Sequence, residues 1–127
     1  MGIDRDQVVP KGFADRFGFV ACRAAENNQT AAVNAALASA KGTHIAFLED
    51  DDRWLPEFLS TALSLRVPFV SSTQLEVHLD GTVERIFDFP TPSGWVGESW
   101  VFDRIGALVG RWHIDNYFLG ATRRRAD

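Results

Sequence analysis

The chain has 127 residues and a mass of 14.1 kDa, room for one domain with a modest core. Hydrophobic residues make up 46% and charged residues 24%, an ordinary globular mix that excludes a disordered or fibrous chain. Thirteen basic residues against seventeen acidic ones leave a net charge of −4, which excludes nucleic acid as the main partner. No apolar run approaches the ~20 residues that span a bilayer, and the start carries no signal-like apolar core. The single Cys22 excludes an internal disulfide framework and a multi-cysteine zinc site, and in its apolar run it reads as a small buried side chain. These features point to a cytoplasmic protein or the cytoplasmic face of a membrane.

In chain order, residues 1–16 show no clear period and read as a lead-in segment. Phe17 to Cys22 is short and apolar, the composition of a buried strand. Asn27 and Asn28 are good helix caps before an Ala-dominated helix from Gln29 to Ala40, which Gly42 follows as a terminator. So many small side chains on one helix predict close packing against a sheet. Thr43 to Leu48 reads as a second buried strand and runs directly into Glu49, Asp50, Asp51 and Asp52. Pro56 and Glu57 suit a helix start, with Phe58, Leu59, Ala62 and Leu63 at helical spacing behind them. A strand, helix, strand, acidic loop, helix order predicts an α/β fold with a parallel sheet.

The second half changes character. Leu75, Val77 and Leu79 alternate with Gln74, Glu76 and His78, the period of a half-buried strand. Asp80-Gly81 is a hairpin turn, and Thr82 to Phe89 supplies the returning strand. An aromatic stretch around Trp95 and Trp100 follows, then a helix over Phe102 to Val109. Asp115 or Asn116 caps a last helix, which runs to a solvated tail at Arg123, Arg124 and Arg125.

Consecutive carboxylates at the C-terminal end of a strand sit where ligands gather in open α/β sheets. They repel one another unless a cation or hydrogen-bond donors compensate them. Hard cations such as Mg²⁺ or Mn²⁺ prefer oxygen ligands and bridge one or two carboxylates to substrate phosphates. From the acidic run alone, a divalent-metal site and a solvated loop capping the next helix are equally good readings.

The stretch from Asn34 to Leu59, NAALASAKGTHIAFLEDDDRWLPEFL, covers about a quarter of the chain and resembles family 2 glycosyltransferases of the GT-A fold. The matching elements are Asn34 on its helix, Gly42, the strand Ile45 to Leu48, the DxD-type run Glu49-Asp50-Asp51, and Trp54-Leu55-Pro56 at a helix start. By position, the resemblance implies that Asp51 binds the metal and that Glu49 lies near the ribose or sugar of the donor. Asp50 sits between them and Asn34 matches the helix asparagine, so all three are donor-binding candidates. The implied cofactor is Mn²⁺ or Mg²⁺, the donor a UDP- or GDP-linked sugar, and the acceptor an unspecified hydroxyl. Inverting transfer needs a base, which the family supplies from a Glu-Asp motif. Asp115, in Trp112-His113-Ile114-Asp115-Asn116, matches it with Ile114 in place of Glu, whereas Gly97-Glu98-Ser99-Trp100 keeps the Glu but has Ser99 in place of Asp. We take Asp115 as the candidate base.

The resemblance implies a single domain over 1–127, a truncated GT-A (Rossmann-like) three-layer α/β sheet with a β-hairpin in its second half. The family's opening strand–helix–strand unit has no counterpart here, so a strand left at the sheet edge is expected to drive homo-oligomer formation. Two other functions fit the same residues: a non-catalytic binding or assembly module, and a metal-dependent phosphoryl transferase or hydrolase.

Overall fold

A computed structural model describes residues 1–87 and 91–108. The fold is mixed α/β, with three small sheets and four helices among those residues. Two compact units divide it, one of Met1–Lys41 with residues 105–108, the other of Gly42–Arg104. No helix among the described residues is long and apolar enough to cross a membrane.

The first unit opens with β1 (Gly2–Ile3), followed by α1 (Phe13–Phe17), β2 (Cys22–Arg23) and α2 (Gln29–Ser39). β1 and β2 pair in parallel, Gly2 opposite Cys22 and Ile3 opposite Arg23. The lead-in expected over residues 1–16 is therefore part of the fold. The strand expected over Phe17 to Cys22 is shorter and later. Gly12 (φ 75°) and Gly18 (φ 70°) adopt left-handed backbone and bracket one helical turn, which takes Phe17 out of the strand. Phe13, Phe17 and Phe19 then cluster with one another instead.

α2 forms as its composition dictates. The Asn28 side chain accepts the Ala31 N–H at 2.8 Å and caps the helix, while Asn27 pairs with Asp6. The small residues serve close approach. A Cβ at Gly2 would lie 2.0 Å from the Ala32 carbonyl oxygen, so β1 packs directly on the helix backbone.

The second unit runs β3 (His44–Ala46), α3 (Phe58–Ser64), β4 (Phe69–Ser71), β5 (Gln74–Val77), β6 (Val83–Phe87), a 3₁₀ turn (Pro92–Gly94), β7 (Trp95–Glu98) and α4 (Ser99–Ile105). In this unit the sheet is antiparallel rather than the expected parallel one. β7 inserts between β3 and β4 and pairs antiparallel with both. Trp95 and Val96 of β7, Phe102 of α4 and Ala62 of α3 are buried and form this unit's core. Gly97 is needed there: a Cβ would sit 3.0 Å from both the Phe69 and Phe102 rings. The expected hairpin is present as β5–β6, turning at Gly81 (φ 88°).

Candidate functional site

The antiparallel register explains what surrounds the acidic residues. β3 ends beside the start of β7, so the chain leaving β3 meets the chain entering β7. The ladder runs one step past β3, with the Phe47 N–H donating to the Trp95 carbonyl at 3.3 Å. Two residues on, the Glu49 N–H donates to Ser93 Oγ at 2.9 Å. The indole N–H of Trp54 donates to the Ser93 carbonyl at 2.8 Å. One buried serine, 4% exposed, therefore holds both ends of the acidic loop.

Between those anchors Asp50, Asp51 and Asp52 are exposed, while Glu49 is half-buried. The Asp52 N–H donates to the Glu49 carbonyl at 3.3 Å, closing a turn that carries the carboxylates. Trp54 lies against Phe58, ring centroids 5.6 Å apart, which leads the loop into α3. The turn that carries Ser93 is itself held. The Ser72 N–H donates to the Gly94 carbonyl at 3.0 Å, and a Cβ at Gly94 would come within 2.8 Å of Ser72 Oγ.

The structure thus brings Glu49, Asp50 and Asp51 together on one loop with Asp52. The exposed carboxylates of Asp50, Asp51 and Asp52 are oxygen donors of the kind hard cations take. Among the described residues no three His, Cys, Asp or Glu side chains are grouped to hold a metal by themselves.

The remaining sequence-derived candidates have other settings. Asn34 lies on α2 in the first unit, where its amide is engaged on both sides. Nδ2 donates to the Leu108 carbonyl at 2.8 Å and Oδ1 accepts the Leu108 N–H at 2.9 Å. Asp115 and His113 lie outside the described residues. Glu98 pairs with His44 at the start of β3, the opposite end of the strand from the acidic loop, and accepts the Trp100 indole N–H at 2.5 Å. At ~3.3 Å per residue along a strand, this register keeps Glu98 away from Asp51. Trp95 is fully buried, while Trp100 is exposed beside Glu98.

Ser93 is the site residue that the sequence reading missed. Its link to Glu49 crosses 44 residues and follows only from β7 pairing antiparallel with β3. Comparison with known proteins adds no relative: no family model, no curated protein and no solved structure matches the chain.

Proposed function

We propose that the chain is a nucleotide-sugar-dependent glycosyltransferase, or the catalytic core of one, built on a GT-A-like fold. What carries the reading is the resemblance of the sequence from Asn34 to Leu59 to that family, along which α2, β3, the acidic loop and α3 follow one another. In this reading Asp51 holds Mn²⁺ or Mg²⁺, and Asp50 and Glu49 face the UDP- or GDP-linked donor. The cation supplies Lewis acidity that offsets charge on the leaving diphosphate. Asp115 takes the proton from the acceptor hydroxyl as its oxygen bonds the sugar's anomeric carbon from the face opposite the departing diphosphate, a displacement that inverts that carbon.

A cytoplasmic location and self-association belong to the same proposal. β3 has β7 on one side and no second strand partner among the described residues, which leaves an edge of the kind that recruits another chain. Only monomer in light scattering at high concentration overturns that part.

The test is a thermal-shift panel of Mn²⁺ and Mg²⁺ with UDP, GDP and their sugar conjugates, on the wild type and Asp51→Asn. A ligand present at about 100 times its Kd raises stability by ~2.7 kcal/mol, which such a panel resolves. We expect a metal-dependent rise with one nucleotide that the substitution abolishes. A flat response overturns the transferase reading in favour of an assembly module. A rise with the nucleotide and phosphate release without any sugar acceptor assigns the loop to a phosphoryl transferase or hydrolase.

A further inference from the structure

We propose that the turn around α1 docks the chain on an anionic lipid bilayer, its phenylalanines entering the boundary between headgroups and acyl chains and its cations meeting the headgroup phosphates. Phe13, Phe17 and Phe19 form one cluster, with ring centroids 4.9, 6.0 and 6.1 Å apart. Part of that cluster has a local cause. The Phe19 N–H donates to the Ala14 carbonyl at 2.8 Å, the reversal a left-handed glycine such as Gly18 makes at a helix end, and it returns Phe19 onto Phe13. Phe17 has no part in that motif. It is 53% exposed, with Phe19 at 47% and Val20 at 70%. Apolar side chains exposed singly are ordinary, whereas aromatic rings gathered and exposed on one turn mark a contact surface.

Two observations choose the occupant. The first is charge. Residues 8–20 carry Lys11 and Arg16 against Asp15 alone, in a chain whose net charge is −4. Both cations are exposed, and the Arg16 guanidinium lies 5.2 Å from the centre of the Phe17 ring, so a positive charge stands at the apolar patch itself. The exposed apolar face of β5–β6 has Glu76, Asp80 and Glu84 against Arg85, the wrong sign for an anionic surface. The second is area. At ~150–250 Å² per ring residue and about half exposed, Phe17 and Phe19 offer on the order of 200 Å². A stable pairing with a second copy needs about 800 Å² from each partner, and Val20 falls well short of making up the difference. A bilayer sets no such minimum, because lipid surrounds an inserted side chain on every side.

The test is co-sedimentation of the full chain with vesicles of phosphatidylcholine alone and of phosphatidylcholine with about one quarter phosphatidylglycerol. The proteins are the wild type, the double variant Phe17→Ser with Phe19→Ser, the double variant Lys11→Gln with Arg16→Gln, and Ile86→Thr on the hairpin. We expect the wild type to bind the anionic vesicles at least tenfold more tightly than the neutral ones, and added salt to narrow that gap. Removing the two rings lowers binding to the anionic vesicles at least tenfold. Removing the two cations lowers it about fivefold for each charge, and Ile86→Thr leaves it unchanged. Equal binding to both vesicles, or none to either, overturns the proposal, as does binding that survives loss of the rings. Binding lost in Ile86→Thr moves the docking face to the hairpin and overturns it too. A mass that doubles in light scattering without vesicles, and returns to monomer when the rings are removed, assigns the patch to a second copy instead. Should the ring variant fail to fold by circular dichroism, the cation variant decides: anionic-vesicle binding equal to wild type overturns the proposal.

Discussion

The sheet β3–β7–β4 and the hairpin β5–β6 are both made of short antiparallel strands, yet the central strand β7 is buried and the hairpin is not. Trp95 in the sheet is 0% exposed, while Ile86 in the hairpin is 68% exposed. The hairpin register pairs Leu75 with Ile86 and Val77 with Val83, and all four side chains are exposed. Period-two alternation states which side chains share a face. It does not state whether anything covers that face. In the sheet, Phe102 of α4 and Ala62 of α3 supply the second layer. A two-stranded hairpin without such a layer is marginal in water, so its register rests on the Gly81 turn and on local pairs such as Arg85 with Glu76.

The comparison breaks most visibly at Trp95, whose ring meets Phe47 and Phe69. Trp95→Ala is expected to cost about 3–5 kcal/mol, as deletion of a fully buried large aromatic does. Urea unfolding followed by circular dichroism measures it. A loss below ~1 kcal/mol would show that β7 is not the core strand of its unit.

A polar position provides the next test. Asn34 both donates to and accepts from the Leu108 backbone, a pairing that only a side-chain amide makes in this geometry. Asn34→Asp keeps an acceptor for the Leu108 N–H but faces the Leu108 carbonyl with a second acceptor, so about 1–3 kcal/mol of stability should be lost. Asn34→Gln, one methylene longer, should recover little of it. If Asn34→Asp leaves the urea midpoint unchanged and instead abolishes nucleotide binding, the asparagine belongs to the donor site itself.

Much of the local structure is legible in the sequence because its causes are local. Asn28 announces the start of α2, the Ala run its close packing, and Asp80-Gly81 the hairpin turn. Glu49 to Asp52 appear as one loop because they are consecutive and follow an apolar strand. What escapes is non-local. Gly2–Ile3 has no strand pattern of its own and becomes β1 only by pairing with β2. Trp95–Glu98 reads as an aromatic stretch, and becomes a central strand by inserting between two strands about 25 and 50 residues earlier in the chain. Ser93 is invisible for the same reason: a serine in a Pro-Ser-Gly turn carries no sign of the loop it holds. Phe17 misleads because its neighbours suit a strand, while Gly12 and Gly18 together set up a helical turn.

On the hairpin the expected effects are small. Ile86→Thr removes an exposed apolar side chain and keeps β-branching, so stability should change by no more than ~0.5 kcal/mol. Urea unfolding of the isolated protein measures this. A loss above ~2 kcal/mol would mean that the exposed face is covered in solution, and the contrast with the three-stranded sheet would disappear.

The smallest effect belongs to the turn that joins the two hairpin strands. The Asp80 carboxylate accepts the Thr82 hydroxyl at 2.7 Å and the Thr82 N–H at 2.9 Å, which holds its pKa below the ordinary carboxylate value. A carboxyl depressed in the folded state adds stability above its unfolded pKa and loses it as pH falls through the folded one. The turn is therefore expected to loosen only below roughly pH 4, where an unperturbed Asp begins to protonate. Amide exchange at Thr82, followed from pH 6 to pH 3 after correction for the intrinsic rate, reads this directly. The protection should fall at the acid end in the wild type and be low at every pH in Asp80→Ala. Equal protection in the two proteins would show that Gly81 and the strand pairing hold the turn without the carboxylate, leaving the hairpin more like the sheet than its exposure suggests.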